Sequence, residues 1–82
     1  MTKHVEETVN RYIEEIKNRH PNVSVEVLKG QSRWVDAHLG ISCSSHKQAD
    51  EVMESVAHLT TKFYLDDGVY ITASASFSGP MS

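Results

Sequence analysis

Three short segments of this chain alternate apolar and polar residues, and this period of two constrains the fold more than any other feature. In the first segment Val23, Val25 and Val27 alternate with polar residues. The other two segments place apolar side chains at every second position: Val35, Ala37, Leu39, Ile41 and Cys43, then Val69, Ile71, Ala73, Ala75 and Phe77. Such alternation is typical of a strand with one buried face. The sequence therefore predicts a three-stranded sheet.

Two other segments repeat apolar residues at helical spacing. Their apolar positions are Val5, Val9, Tyr12, Ile13 and Ile16, and then Ala49, Val52, Met53, Val56, Leu59 and Phe63. The first segment predicts an amphipathic helix that follows an N-cap at Thr2 and ends near His20. The second predicts a helix from about Ser45 to Lys62, because Ser45 and Gln48 have the spacing of a capping box.

The predicted order is helix, strand, strand, helix, strand. This order predicts an α+β domain, ferredoxin-like αββαβ, with a three-stranded mixed sheet and both helices on one face. A short turn at Gly30 makes the first two strands antiparallel, and the helical connection favours a right-handed parallel crossover to the third. With 82 residues the chain is expected to form one domain, residues 1–82, with an ordered core over about 3–77.

Charge and composition limit the classes of partner and the cellular location to be expected. Eleven acidic and eight basic residues give a net charge of -3 without a basic block, so a nucleic-acid partner is not expected. No apolar run approaches the roughly 20 residues that span a bilayer, so membrane insertion is not expected. The single cysteine, Cys43, cannot form an internal disulfide, and the amino terminus is charged where a signal peptide is apolar. These features favour a cytoplasmic protein.

The sheet face opposite the helices is the first candidate site. Its predicted members include Trp34, Asp36, His38, Tyr70 and Thr72, a mixture of aromatic and polar side chains. With both helices on the other face, no predicted element covers these residues. The interpretation is an interface for a homodimer or a protein partner, through the uncovered sheet face or its edge. The alternative is a solvated face with scattered aromatic residues.

A second candidate site combines residues between the second strand and the second helix. Cys43 and His46 have the spacing of half a zinc site, and Asp50 lies one helical turn after His46. The alternative is a helix-start histidine beside a solvated acid. Cys43 also precedes a predicted helix N-terminus, where the helix dipole favours a nucleophilic thiolate. The alternative for Cys43 is a small buried thiol on the core face of its strand.

The segments IEEIKNRHPNV, WVDAHLGI and HKQADEV resemble the cytosolic C-terminal domain of cation diffusion facilitator transporters. That family has a helix ending near a His-Pro-Gly-Val-like turn, a strand of the kind V-D-x-H-L and a helix beginning A-H-x-x-A-D-x-V. The similarity spans roughly residues 13–77. The resemblance implies a metallochaperone-like domain that dimerises and binds divalent cations such as zinc, with His38 and His46 at the family's histidine positions. The family's last strand usually supplies a further His and an acidic residue, where this chain has Thr72 to Ser76.

Together these patterns predict a non-enzymatic domain that acts by homodimerisation and binding, with zinc sensing as the form that the resemblance implies. The predicted metal ligands are His38, Cys43, His46 and Asp50. Two alternatives stay open. One is a small accessory or inhibitor protein, for example of a mobile element, that binds another macromolecule. The other is a small enzyme that uses Cys43.

Overall fold

The computed structural model describes residues 3–28 and 35–77, and within them it confirms the predicted order of elements. The elements are α1 (Lys3–Arg19), β1 (Ser24–Leu28), β2 (Ala37–Cys43), α2 (His46–Asp67) and β3 (Ile71–Phe77). The predicted N-cap at Thr2, the turn at Gly30 and the interface residue Trp34 lie outside the described residues. The fold class is α+β.

The three strands form one mixed sheet in the order β1-β2-β3. β1 is antiparallel to β2, with Val25 opposite Ile41. β2 is parallel to β3, with Leu39 opposite Ala73, and α2 is the crossover that connects them. Each of these pairs joins residues of the predicted core face, so the register keeps the apolar side of all three strands together.

Both helices pack on that one face of the sheet. Leu39, Ile41 and Ile71 are almost completely buried there. The helical residues of the same cluster are Val9, Tyr12, Ile16, Ala49, Val52, Val56, Leu59 and Phe63. Because helices and strands share one apolar cluster, the described residues have a single core, and the opposite sheet face receives neither helix.

A partly buried polar link crosses this core. The Thr60 hydroxyl donates to the carbonyl oxygen of Ile71 at 2.7 Å, and its oxygen lies 2.9 Å from the Tyr12 hydroxyl. Because threonine has one hydroxyl proton, Tyr12 must be the donor to Thr60. Tyr12 also lies 3.3 Å from the carbonyl oxygen of Val56. The link ties α1, α2 and the start of β3 together, and burial raises the pKa of Tyr12 above its usual value.

The predicted start of α2 is confirmed, whereas its predicted end is wrong. The Ser45 side chain accepts from the backbone N–H of Gln48 at 3.1 Å, as an N-cap does. The helix continues past Lys62 to Asp67 and ends where Gly68 adopts a φ of 69°. Glycine occupies this left-handed conformation without the penalty that a Cβ imposes. The Asp66-Asp67-Gly68 turn signal therefore marks the end of the helix.

Candidate functional site

The sheet face opposite the helices, called the open face, is lined mainly by small polar residues. It carries Ser24, Glu26, Leu28, His38, Gly40, Ser42, Thr72, Ser74 and Ser76. His38 Nδ1 and Thr72 Oγ1 are hydrogen-bonded at 2.6 Å across β2 and β3. A Cβ built at Gly40 would lie 3.4 Å from Leu28 Cδ1, so Leu28 leans over the middle of this face. The predicted interface residues His38 and Thr72 therefore lie side by side on the open face.

Asp36 and Tyr70 are the other two predicted interface residues that the structure describes. Both precede their strands and join each other by two hydrogen bonds: Tyr70 N–H donates to Asp36 Oδ2 at 2.9 Å, and Asp36 N–H donates to the Tyr70 carbonyl at 2.9 Å. The Tyr70 ring packs edge-on against Tyr64 of α2, with ring centres 5.8 Å apart. The prediction placed Tyr70 on the open face by extending the alternation past the start of β3. Its ring lies instead beside Tyr64 of α2.

The four predicted metal ligands are not brought together. Cys43 is buried on the core face, whereas His38 is on the open face, because residues an odd number apart on one strand point to opposite sides. His46 Nε2 and Asp50 Oδ2 are 3.8 Å apart, and both side chains are largely exposed. Within residues 3–28 and 35–77, no group of three or more His, Cys, Asp or Glu side chains is placed to hold a metal ion. The geometry leaves only the two-residue pair of His46 and Asp50.

Cys43 has the environment of a structural thiol. It is a free cysteine at the end of β2, only 8% exposed, within the apolar cluster. Burial raises the pKa of the Cys43 thiol, since desolvation disfavours the thiolate. A nucleophilic cysteine requires the opposite shift.

A groove of about 300 Å³ lies between α1 and α2, near the end of α2. Its walls carry both signs of charge: Arg11, Glu14, Glu15, Lys62, Asp66 and Asp67, with Phe63 at the base. Arg11 pairs with Asp67 at 3.1 Å and lies 5.6 Å from the centre of the Phe63 ring. These contacts give Arg11 and Asp67 partners within the wall of the groove.

One surface was missed by the sequence prediction and is called here the β3-side surface. It consists of His46, Met53, Ala57 and Tyr64 of α2 with Tyr70 and Phe77 at the two ends of β3. Aromatic contacts fix this arrangement: His46 packs on Phe77 with ring centres 5.6 Å apart, as Tyr64 does on Tyr70 at 5.8 Å. Met53, Tyr64, Tyr70 and Phe77 are four of the six large apolar residues that the described structure exposes.

Neither helix in the described part of the chain has the length and apolarity needed to cross a membrane. In comparisons with known proteins, no family model, curated protein or solved structure matches the chain. The resemblance to the C-terminal domain of cation diffusion facilitators therefore stays a prediction. Function has to be argued from the geometry of the residues themselves.

Proposed function

We propose that this domain acts by associating with a second copy of itself, through the part of the sheet that its own helices leave uncovered, and that it performs no chemistry. The observation that carries the proposal is the one-sided architecture. α1 and α2 share one core with one sheet face. In the described residues, β1 and β3 are the edges of the sheet and each lacks a neighbour on its outer side.

The size of the chain supports association. A domain of 82 residues buries only about 60% to 65% of the surface that its unfolded chain exposes. Many small domains gain further stability by oligomerising, and uncovered sheet edges are the usual place for backbone pairing between chains. A homodimer would extend the sheet and bury apolar residues that the single chain exposes.

The side chains with catalytic potential favour a binding role. Cys43 lies in the core with a raised pKa. His38 is hydrogen-bonded to the Thr72 hydroxyl, but no third side chain among the described residues orients the His38 ring, as an imidazole base that activates a hydroxyl requires. In the groove between the helices, Arg11 and Asp67 are paired with each other at 3.1 Å. Among the described residues, these placements supply no complete set of nucleophile, base and orienting group.

Zinc does not fit this chain as a resident group. A structural zinc site needs four ligands, and the two residues that lie together, His46 and Asp50, supply two. The thiol of Cys43 is enclosed in the apolar cluster on the other side of the sheet from His38. The proposed function therefore contains no zinc-dependent step.

Sedimentation velocity over a wide range of protein concentrations tests the proposal. We expect a concentration-dependent dimer that persists in the presence of a chelator. A monomer at the highest concentration would contradict self-association. A monomer that instead forms a stoichiometric complex with an unrelated protein would support the alternative of an accessory or inhibitor protein.

A further inference from the structure

β3 is an edge strand that lacks the usual protection against pairing. Its sequence, ITASASF, contains no charge and no proline, and its seven residues include no positive φ of the kind that marks a glycine bulge. Natural edge strands generally carry lysine, proline or a bulge, or are very short. The other edge, β1, has five residues with Glu26 at its centre. Of the two edges, β3 is the one suited to pair with another strand.

The backbone of β3 presents outward-pointing groups at odd-numbered residues, of which the Ile71 carbonyl already accepts from Thr60. The Tyr70 carbonyl accepts from Asp36 N–H, so the backbone groups of residue 70 point toward β2. Successive residues of a strand alternate in this direction. Thr72, Ser74 and Ser76 therefore bond to β2, whereas the N–H and C=O groups of Ala73 and Ala75 point away from the sheet.

The helix above this edge carries a line of aromatic and apolar side chains, begun by His46, that runs parallel to it. At 100° per residue, His46, Met53, Ala57 and Tyr64 lie within about 40° of one another around the axis of α2. This line faces away from α1, which contacts α2 through its other side, for example by the hydrogen bond between His20 and Ser55. At its two ends His46 contacts Phe77, the last residue of β3, and Tyr64 contacts Tyr70, which precedes β3. The β3-side surface is thus one continuous strip of helix and strand.

We propose, as a development of the self-association above and resting on it, that two copies join through their β3-side surfaces about a two-fold axis that passes by Ser74. β3 pairs antiparallel with its symmetry mate, and the two sheets form one continuous sheet of six strands. Ser74 faces Ser74 of the other copy. Ala73 and Ala75 exchange backbone hydrogen bonds with Ala75 and Ala73 across the axis.

The strip is self-complementary, which selects a second copy as the occupant. The midpoint of β3 is residue 74, and the midpoint of the helix line from His46 to Tyr64 is residue 55. The helix line is about 27 Å long, and the strand extended to Tyr70 is about 23 Å long. Because the two lengths are similar and their ends are in contact, one two-fold axis can pass by both midpoints. Met53 then meets Ala57 of the other copy. At each end His46 and Phe77 meet Tyr64 and Tyr70, which gives a cluster of four rings.

Charge favours β3 over β1 for this pairing. A two-fold axis through the middle of β1 would place Glu26 directly against Glu26 of the other copy, and like charges opposite each other destabilise a strand pair. β3 brings no charge to the axis. The pairing that buries Met53, Tyr64 and Phe77 is also the one that places no like charges opposite each other in the strand pair.

Two variants test the pairing by sedimentation velocity, with circular dichroism to check folding. Ala75→Pro removes an N–H that points outward and leaves the bonds to β2 intact, as proline requires at a sheet edge. Ala57→Glu places a charge in the middle of the helix line, on an exposed position that does not enter the core. We expect each variant to weaken the dimer by at least about tenfold. His58→Glu is the matched control, because His58 is exposed and lies about 100° around the helix.

The outcomes separate this inference from the proposed function. Folded monomers for Ala57→Glu and Ala75→Pro, with a dimer for His58→Glu, support the pairing through β3. If Ala75→Pro fails to fold, Ala57→Glu decides. A dimer in the unmodified protein that Ala57→Glu leaves equally tight overturns the β3 pairing while self-association stands. A monomeric unmodified protein overturns both.

Discussion

The partly buried link between Tyr12, Thr60 and Ile71 makes Thr60→Val an informative perturbation, because valine has nearly the shape of threonine without its hydroxyl. The change removes the 2.7 Å hydrogen bond to the Ile71 carbonyl. It also leaves the Tyr12 hydroxyl with only the longer contact, 3.3 Å, to the Val56 carbonyl. A lost hydrogen bond costs about 1 kcal/mol, and a poorly satisfied buried hydroxyl costs about 1 to 2 kcal/mol more. The expected loss of unfolding free energy is about 2 to 3 kcal/mol.

Thermal unfolding followed by circular dichroism measures this loss. For a domain of this size about 1 kcal/mol shifts Tm by 4 to 8 °C, so Thr60→Val should lower Tm by about 10 to 20 °C at a fixed protein concentration. Thr61→Val is the control, since that exposed hydroxyl bonds only to the Ala57 carbonyl of its own helix, and its expected effect is within about 0.5 kcal/mol.

A double variant tests whether the hydroxyls act as one link. Tyr12→Phe alone removes one hydrogen-bonding hydroxyl and should cost about 1 kcal/mol. Combined with Thr60→Val, it removes the group that the first change left poorly satisfied, so the double variant should be no less stable than Thr60→Val alone. Costs that simply add would refute the inference that Tyr12 donates to Thr60 within one link.

Three further predictions follow from the same structure. Gly68→Ala should cost roughly 1 to 2 kcal/mol by chemical denaturation, because a Cβ at a φ of 69° strains its own backbone. Gly40→Ala should be neutral or slightly stabilising, since its Cβ would contact only the flexible side chains of Leu28 and Glu26, at 3.4 Å or more. Equal costs for the two variants would contradict this expectation. Burial raises the pKa of Tyr12, so the folded state holds the phenol proton more tightly than the unfolded chain. The free energy of unfolding should therefore be at its full value below about pH 10 and fall above it. A fall of the same size in Tyr12→Phe would exclude Tyr12 as its cause. Calorimetric titration with zinc at neutral pH should show no stoichiometric binding, and a one-to-one heat that disappears in His46→Ala and His38→Ala would restore the metal prediction.

Local patterns were sufficient to predict the fold. Leu39 and Ile41 alternate with residues of the opposite face, as Ile71 and Ala73 do. This alternation predicts the core face of the two longer strands, and all four residues are buried. The cap at Ser45 was equally visible, because its partner Gln48 is three residues away. These features depend on interactions within a few residues, which sequence spacing reports directly.

Sequence reasoning missed three features, two because a local signal was ambiguous and one because it depends on distant contacts. The end of α2 was misplaced because the same Asp-Asp-Gly run signals a turn and a helix terminus. Tyr70 was assigned to the open face because alternation does not reveal where a strand begins. The β3-side surface joins His46 to Phe77 and Tyr64 to Tyr70, and only packing of α2 on the sheet brings the first pair together. The single sequence signal was the common helical direction of His46 and Tyr64, which are separated by five full turns.

Symmetric cross-linking at the proposed two-fold axis tests the central claim most directly. In a chain carrying Cys43→Ala, Ser74→Cys would place two thiols opposite each other in a non-hydrogen-bonded antiparallel pair, where Cα atoms are about 4.5 Å apart and a disulfide can form. The control is Ser24→Cys, an exposed position on the β1 edge. We predict that mild oxidation converts the Ser74→Cys protein to a covalent dimer of twice the chain mass and leaves the Ser24→Cys protein largely monomeric. Equal rates of cross-linking in the two proteins would contradict association through β3.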